Sequence, residues 1–173
     1  MPKIIAVIIE SAVLVCALWA VFFLSTLLHE AGHALGYLIA TGNRDGHIRV
    51  GSGKKLADTG SLTVKLLPFD GCFTPPEKNG IDTKAKLITV LAGGPAVSLI
   101  LTAVMLAVRF GGVSLESEVI ASGTIEFLIN SALYINLFTL VLSLLPIHYF
   151  HGEMKGMETD GLQILKAVRS KEE

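Results

Sequence analysis

The sequence is poor in the features that hold small water-soluble domains together. It has two cysteines in 173 residues, Cys16 in an apolar run and Cys72 in a polar stretch, with no C-x-x-C pair. A disulfide framework or a thiol metal cage is therefore excluded as the organising device. There is no internal repeat, no low-complexity tract and no block of like charge, so neither a repeat array nor a charged tail is present. The formal net charge of -1 points to no class of partner. The stretch Gly51-Ser52-Gly53-Lys54-Lys55 lacks the G-x-x-x-x-G-K-[ST] spacing and a following helix, which argues against a nucleotide site; nothing suggests nucleic acid as a partner. Proline is absent between Lys3 and Leu67. What the chain has in excess is apolar surface: 51% hydrophobic residues and a mean hydropathy of +0.63. That is too apolar for an ordinary soluble domain of this length and predicts an integral membrane protein of one domain, residues 1–173.

Three runs can span a bilayer. The first, about 4–40, is apolar through Leu28 except for Glu10, Ser11, Ser25 and Thr26. Ala17-Leu18-Trp19-Ala20 loosely resembles a signal-peptide cleavage site, but the apolar run continues past it, so an uncleaved span is expected. A helix over 4–40 is about 55 Å long against a hydrocarbon core of roughly 30 Å, which implies tilt, a break or a protruding end. Gly42 is the expected C-cap. The second span, about 85–109, carries Ala92-Gly93-Gly94-Pro95-Ala96, Ala103 and Ala107, a small-residue face for close helix packing, with a bend expected at Pro95. A tight link at Gly111–Ser114, followed by Glu116 and Glu118, leads to the third span, about 119–145. There Asn136, Thr139 and Ser143 fall at i, i+3 and i+7 and form one polar stripe, expected to face the bundle interior. Between the first two spans, the alternating runs 46–50 and 61–67 predict a β-hairpin within about 46–75, with a glycine-rich link and turns at Pro68–Gly71 and Pro75-Pro76. Pro146 ends the third span, 147–159 is a polar loop, and Leu162–Val168 is a short C-terminal amphipathic helix. The fold class is thus all-α membrane protein, three transmembrane helices plus a small hairpin.

Charge predicts the orientation. The 41–86 segment holds Arg44, Arg49, Lys54, Lys55, Lys65, Lys78, Lys84 and Lys86; the tail holds Lys155, Lys166, Arg169 and Lys171; the other side holds Lys3 and Arg109. The N-terminus is expected outside, with 41–86 and the C-terminus cytoplasmic.

The chemistry sits in His29-Glu30-Ala31-Gly32-His33, an H-E-x-x-H pattern. On a helix the two imidazoles stack on one face and can share a metal, while Glu30, about 100° further round, can reach a water on it. The bland alternative is a satisfied polar cluster at a helix end. Any further ligand has to lie on the cytoplasmic side with His33.

Four stretches in order resemble the site-2 protease family of membrane-embedded zinc metalloproteases, especially its bacterial branch. They are His29–His33; Val50–Lys54 with Leu66-Leu67-Pro68-Phe69-Asp70-Gly71; Ala92-Gly93-Gly94-Pro95; and Asn136-Leu137, Leu144-Leu145-Pro146 and Asp160-Gly161. The resemblance implies a Zn²⁺ cofactor held by His29, His33 and Asp160, with Glu30 as general base and Asn136 as a hydrogen-bond donor to the oxyanion or substrate backbone. It implies hydrolysis of a peptide bond in or near a transmembrane helix of a membrane-protein substrate, in a bacterial inner membrane, with the hairpin pairing with the unwound segment around Val64 and Leu66. The chain departs from the pattern in three places. Ser143 stands where the family often has asparagine, the Pro146-to-Asp160 link is longer, and no PDZ domain separates the second and third spans. Within the longer link His148, His151, Glu153 and Glu158 are rival ligands, and Asp160 can instead be the N-cap of the last helix. Two other functions fit the same residues: an inactive metal-binding membrane adaptor, and a membrane-anchored metallopeptidase acting on soluble peptides at the cytoplasmic face.

Overall fold

The computed structural model describes residues 2–111, 122–150 and 152–170. In order the elements are α1 (Pro2–Thr41), β1 (His47–Asp58), β2 (Leu62–Thr74), α2 (Lys84–Phe110), α3 (Ser122–Leu144) and α4 (Asp160–Arg169). Three helices are long and apolar enough to cross a membrane: α1, α2 and α3. Residues 112–121 lie outside the described residues, and with them the expected link at Gly112–Ser114, Glu116, Glu118 and the start of the third span.

The first helix is unbroken over 40 residues, so of the three expectations for its excess length a break is excluded. Gly42 ends it as expected, with φ +74° and its N–H on the Leu38 carbonyl at 2.8 Å. Residues 3–13 are exposed on every side, which for so apolar a stretch means contact with something other than water. The C-terminal half is the part that packs. Here α1 crosses α2 at very short range. A side chain on Gly32 would stand 2.8 Å from the Gly93 carbonyl carbon, and one on Gly36 would stand 3.1 Å from Val90 Cα. The glycines on both helices let the backbones touch. The sequence carries this signal as the Gly32/Gly36 spacing on α1 as well as the small face of α2. The second helix runs through Pro95 and is capped at Thr83, whose side chain accepts from the Lys86 N–H. The polar stripe of α3 turns inward as expected: Asn136 and Ser143 are buried and Thr139 half-buried. Arg109 at the end of α2 pairs with Glu126 (3.3 Å) and Asn130 (3.2 Å) of α3.

The hairpin is longer than its hydrophobic runs. β1 and β2 are antiparallel and extend to Asp58 and from Leu62. The glycine-rich link is therefore largely strand, and Pro68–Gly71 is not a turn but the interior of β2. Proline is tolerated there because the ladder is irregular and that stretch faces α1 rather than a third strand. The Pro68 carbonyl accepts from Thr26 Oγ1 (3.0 Å) and the Leu66 carbonyl from Trp19 Nε1 (2.7 Å). The ribbon also folds over on itself. Ile48, Arg49 and Val50 lie opposite Phe73, Cys72 and Gly71 and also opposite Leu62, Thr63 and Val64. Gly51, at φ +93°, allows the fold. Val64 thus has Val50 and Ala57 as partners, so it is not a free edge onto which another strand can add.

Candidate metal centre

His29 and His33 lie in the packed half of α1, one turn apart, and are 5% and 7% exposed. Asp160 opens α4. Its place there depends on Thr159, which takes the N-cap role itself by accepting from the Leu162 N–H. The expectation that Asp160 might serve as the cap is corrected: the hydroxyl one residue earlier does that work, and the carboxylate is free to turn toward α1. His29 Nε2 and His33 Nε2 each lie 3.4 Å from Asp160 Oδ2, and 3.3 Å from each other.

These distances are informative. Zinc bonds to nitrogen and oxygen of about 2.0–2.1 Å, set at the tetrahedral angle, separate neighbouring donors by roughly 3.3–3.4 Å. The triangle already has that edge. The outer nitrogens are occupied: His33 Nδ1–H donates to the Val90 carbonyl (2.9 Å), and His29 Nδ1 meets Ser98 Oγ (2.8 Å). A carbonyl can only accept, so neutral His33 keeps its lone pair on Nε2, directed at the triangle. Ser98 is fully buried, and its own carbonyl accepts from Thr102 Oγ1. His29, His33 and Asp160 together can hold a metal ion.

Glu30 lies against β2. Its carboxylate meets the Phe73 backbone amide. Gly71 makes the approach possible, since a side chain there would collide with Glu30 Oε1 and stand 2.7 Å from Thr26 Cγ2. Two cavities flank the pair. One, of about 410 Å³, is lined by Phe22, Phe69, Tyr134, Phe138 and Leu142 beside His29 and Glu30. The other, of about 250 Å³, has His33, Cys72, Leu91, Asp160 and Gln163 in its lining.

Asn136 is not part of this assembly. Its Nδ2 donates to Ser25 Oγ (3.1 Å) and the Ala132 carbonyl (2.8 Å), and it lines neither cavity. In this arrangement it ties α3 to α1 one turn before His29. Among the rival ligands, Glu153 pairs with Lys65 and Arg49, and His148 with Glu158, which also binds Lys166. His151 lies outside the described residues. The inferences missed in the sequence are Ser98, the Val90 carbonyl, Thr159, Tyr149 and Met154. Only the Thr159-Asp160-Gly161 run carried a local signal, that of a helix start.

No protein-family model, no curated protein and no solved structure matches the chain.

Proposed function

We propose that the protein is an intramembrane zinc metalloprotease of the site-2 protease type, cutting a peptide bond in or near a transmembrane segment of a membrane-protein substrate. The observation that carries this is the His29–His33–Asp160 triangle with tetrahedral edges, beside a buried glutamate that is not one of its corners. A site for binding alone has no need of Glu30 in that position, which disfavours the adaptor reading. The identity of the ion as zinc rests on the two-imidazole, one-carboxylate donor set with a fourth position for water.

Depth favours an intramembrane site over one at the cytoplasmic face. His29 precedes the end of α1 at Thr41 by twelve residues, about 18 Å of helix. Gly94, against both imidazoles, follows the start of α2 at Lys84 by ten residues, about 15 Å. Both figures are near half the roughly 30 Å hydrocarbon core. Lys84 at the start of α2 and the C-terminal tail lie together at that end, where Lys84 Nζ bonds the Ser170 carbonyl, which fits a cytoplasmic location.

His29 Nε2, His33 Nε2 and Asp160 Oδ2 would hold a zinc ion, which would supply a Lewis acid for the attacking water and the scissile carbonyl. Glu30 accepts the water proton as its oxygen bonds to the carbonyl carbon, and returns that proton to the amide nitrogen as the C–N bond breaks. The aromatic cavity beside Glu30 suits a large apolar side chain next to the scissile bond. Zinc content and cleavage of a membrane-protein substrate, measured side by side for the wild type, Glu30→Gln and Asp160→Ala, test the reading. Glu30→Gln should keep zinc and lose about 10²–10⁴-fold in rate, while Asp160→Ala should lose the metal. Retained cleavage by Glu30→Gln ends the catalytic claim.

A further inference from the structure

The link between α3 and α4 is built, not slack. Residues 147–150 and 152–158 form a finger whose limbs are tied by backbone bonds. The Tyr149 N–H donates to the Met157 carbonyl (2.8 Å), the Gly156 N–H to the Tyr149 carbonyl (2.7 Å), and the Thr159 N–H to the Ile147 carbonyl (3.1 Å). Its base is fixed by Thr159 Oγ1, which reaches the Leu145 and Ile147 carbonyls at 2.5 and 3.0 Å. Its tip rests on the hairpin chiefly through Glu153. Glu153 accepts from Lys65 Nζ (2.5 Å) and the Gly53 N–H (3.0 Å), faces Arg49 at 3.5 Å, and donates its own N–H to Asp70 Oδ2 (3.2 Å). Arg49 also reaches Met154 Sδ (3.1 Å).

Between base and tip, Tyr149 and Met154 line both cavities, a position they share with His29, Glu30 and Gly71. The finger therefore bridges from the α3–α4 corner to the hairpin above Glu30, and the two cavities adjoin beneath it. An extended chain occupying both must run between the finger and α1. The bond to be cut in a membrane protein has chain on both sides of it. Such a chain cannot be threaded end first under a bridge, so the bridge has to lift and close again. The tip is the part suited to lifting: it is held by the side chains of Glu153 and Met154, whereas the base is held by the Thr159 hydroxyl and by the backbone bond from the Thr159 N–H to the Ile147 carbonyl.

We propose that the finger is a substrate clamp. Tyr149 and Met154 contact the substrate on the two sides of the scissile bond, Glu153 is the positioning residue that closes the clamp on the hairpin, and the class of substrate admitted is an internal, extended segment. The proposal rests on the protease reading of the metal centre.

A reversible lock tests it. In a Cys16→Ser/Cys72→Ser background, Asp70→Cys with Gly152→Cys joins tip to hairpin. A Cβ on residue 152 would stand 3.0 Å from Asp70 Cγ, roughly the separation of a Cβ and its partner's sulfur in a disulfide. The probes are an end-blocked linear Ala/Leu/Phe peptide and its head-to-tail cyclised form, offered to the zinc-loaded protein in detergent micelles, with the reduced protein as its own reference. Oxidation should leave linear-peptide cleavage in place and lower cyclic-peptide cleavage by about tenfold or more, with recovery on reduction. Equal loss for both peptides, or no loss for either, overturns the clamp. Binding of the same peptides to the Glu30→Gln form of the lock, read by fluorescence anisotropy, separates the two claims. If the wild type cleaves neither peptide while the oxidised Glu30→Gln form binds the linear one and rejects the cyclic one, the clamp stands and the protease reading falls. If that form binds both alike, or the reduced form binds neither, the clamp falls. Residue 152 has φ +73°, where cysteine is strained, so Glu153→Gln supplies an independent arm. It should change KM for the cyclic peptide by about threefold while kcat stays put, and an unchanged KM counts against the clamp.

Discussion

Gly94→Ala is the smallest change that should disable the metal centre. A methyl on this residue of α2 would stand 2.7 Å from His29 Nε2 and closer still to His33 Nε2. An unstrained carbon–nitrogen contact needs about 3.4–3.5 Å, so the His29 ring has to give by roughly 0.7 Å and the His33 ring by more, or the whole α1–α2 crossing has to open. Metal ligands tolerate displacement of only about 0.2 Å. The crossing has no slack to offer, because Gly32 and Gly93 already hold the two backbones in contact. Overpacking of this kind costs about 1–3 kcal/mol of stability. The larger effect is expected on the metal, with zinc affinity falling about 100-fold, or roughly 2.7 kcal/mol. Chelator competition on the purified protein measures it, and thermal unfolding of the same sample measures the stability loss. Gly123→Ala is the control, since a side chain there meets nothing within 4 Å. Wild-type zinc affinity in Gly94→Ala would falsify the donor triangle as the metal site.

Ser98→Ala removes the partner of His29 Nδ1 and should weaken zinc binding by about 10–100-fold with little change in fold; unchanged affinity would mean that the hydroxyl does not orient the ligand. Thr159→Val strips the cap of α4 and leaves the Leu145 and Ile147 carbonyls without their hydroxyl donor, costing about 2–4 kcal/mol in thermal stability. Zinc should be lost with it because Asp160 is the next residue, and a stable, zinc-replete Thr159→Val protein would contradict this account. Glu153 gives a pH signature. Its carboxyl is held below its ordinary 4.5 by the hydrogen bond from Lys65, then by the Gly53 amide. A depressed carboxyl contributes stability that is complete above about 4.5 and is lost as pH falls through the lower folded value. The groups facing it are Lys65, Arg49 and Asp70. The Gly53 amide resonance should therefore stay constant from pH 8 down to about 4.5 and move only below it. A midpoint at or above 4.5 would show that the clamp is open at rest.

Much of the molecule could be read from residue order because the signals are local. Three apolar runs are long enough to span a bilayer whatever they pack against, and H-E-x-x-H on an unbroken helix puts two imidazoles on one face by geometry alone. The inward turn of Asn136, Thr139 and Ser143 followed from period and polarity. Pro68–Gly71 misled because turn chemistry is also local, whereas the strand that contains it is held from outside by Trp19 and Thr26. Asn136 was expected at the chemistry by resemblance; its Nδ2 bonds Ser25 and Ala132, and its buried Oδ1 has no partner among the described residues.

By itself, then, the order of residues determined the three long apolar helices and the pairing of His29 and His33 on one helix face. Only the tertiary structure decided that Asp160 rather than Glu153 or Glu158 completes the triangle, that Ser98 and Val90 aim the imidazoles, and that the 147–159 link reaches across to the hairpin. The reason is physical: His29 lies 69 positions from Ser98 and is separated from Asp160 by most of the chain. No periodicity spans such distances; glycine contact between α1 and α2 brings Ser98 and Val90 to the imidazoles, and the packing of α4 brings Asp160.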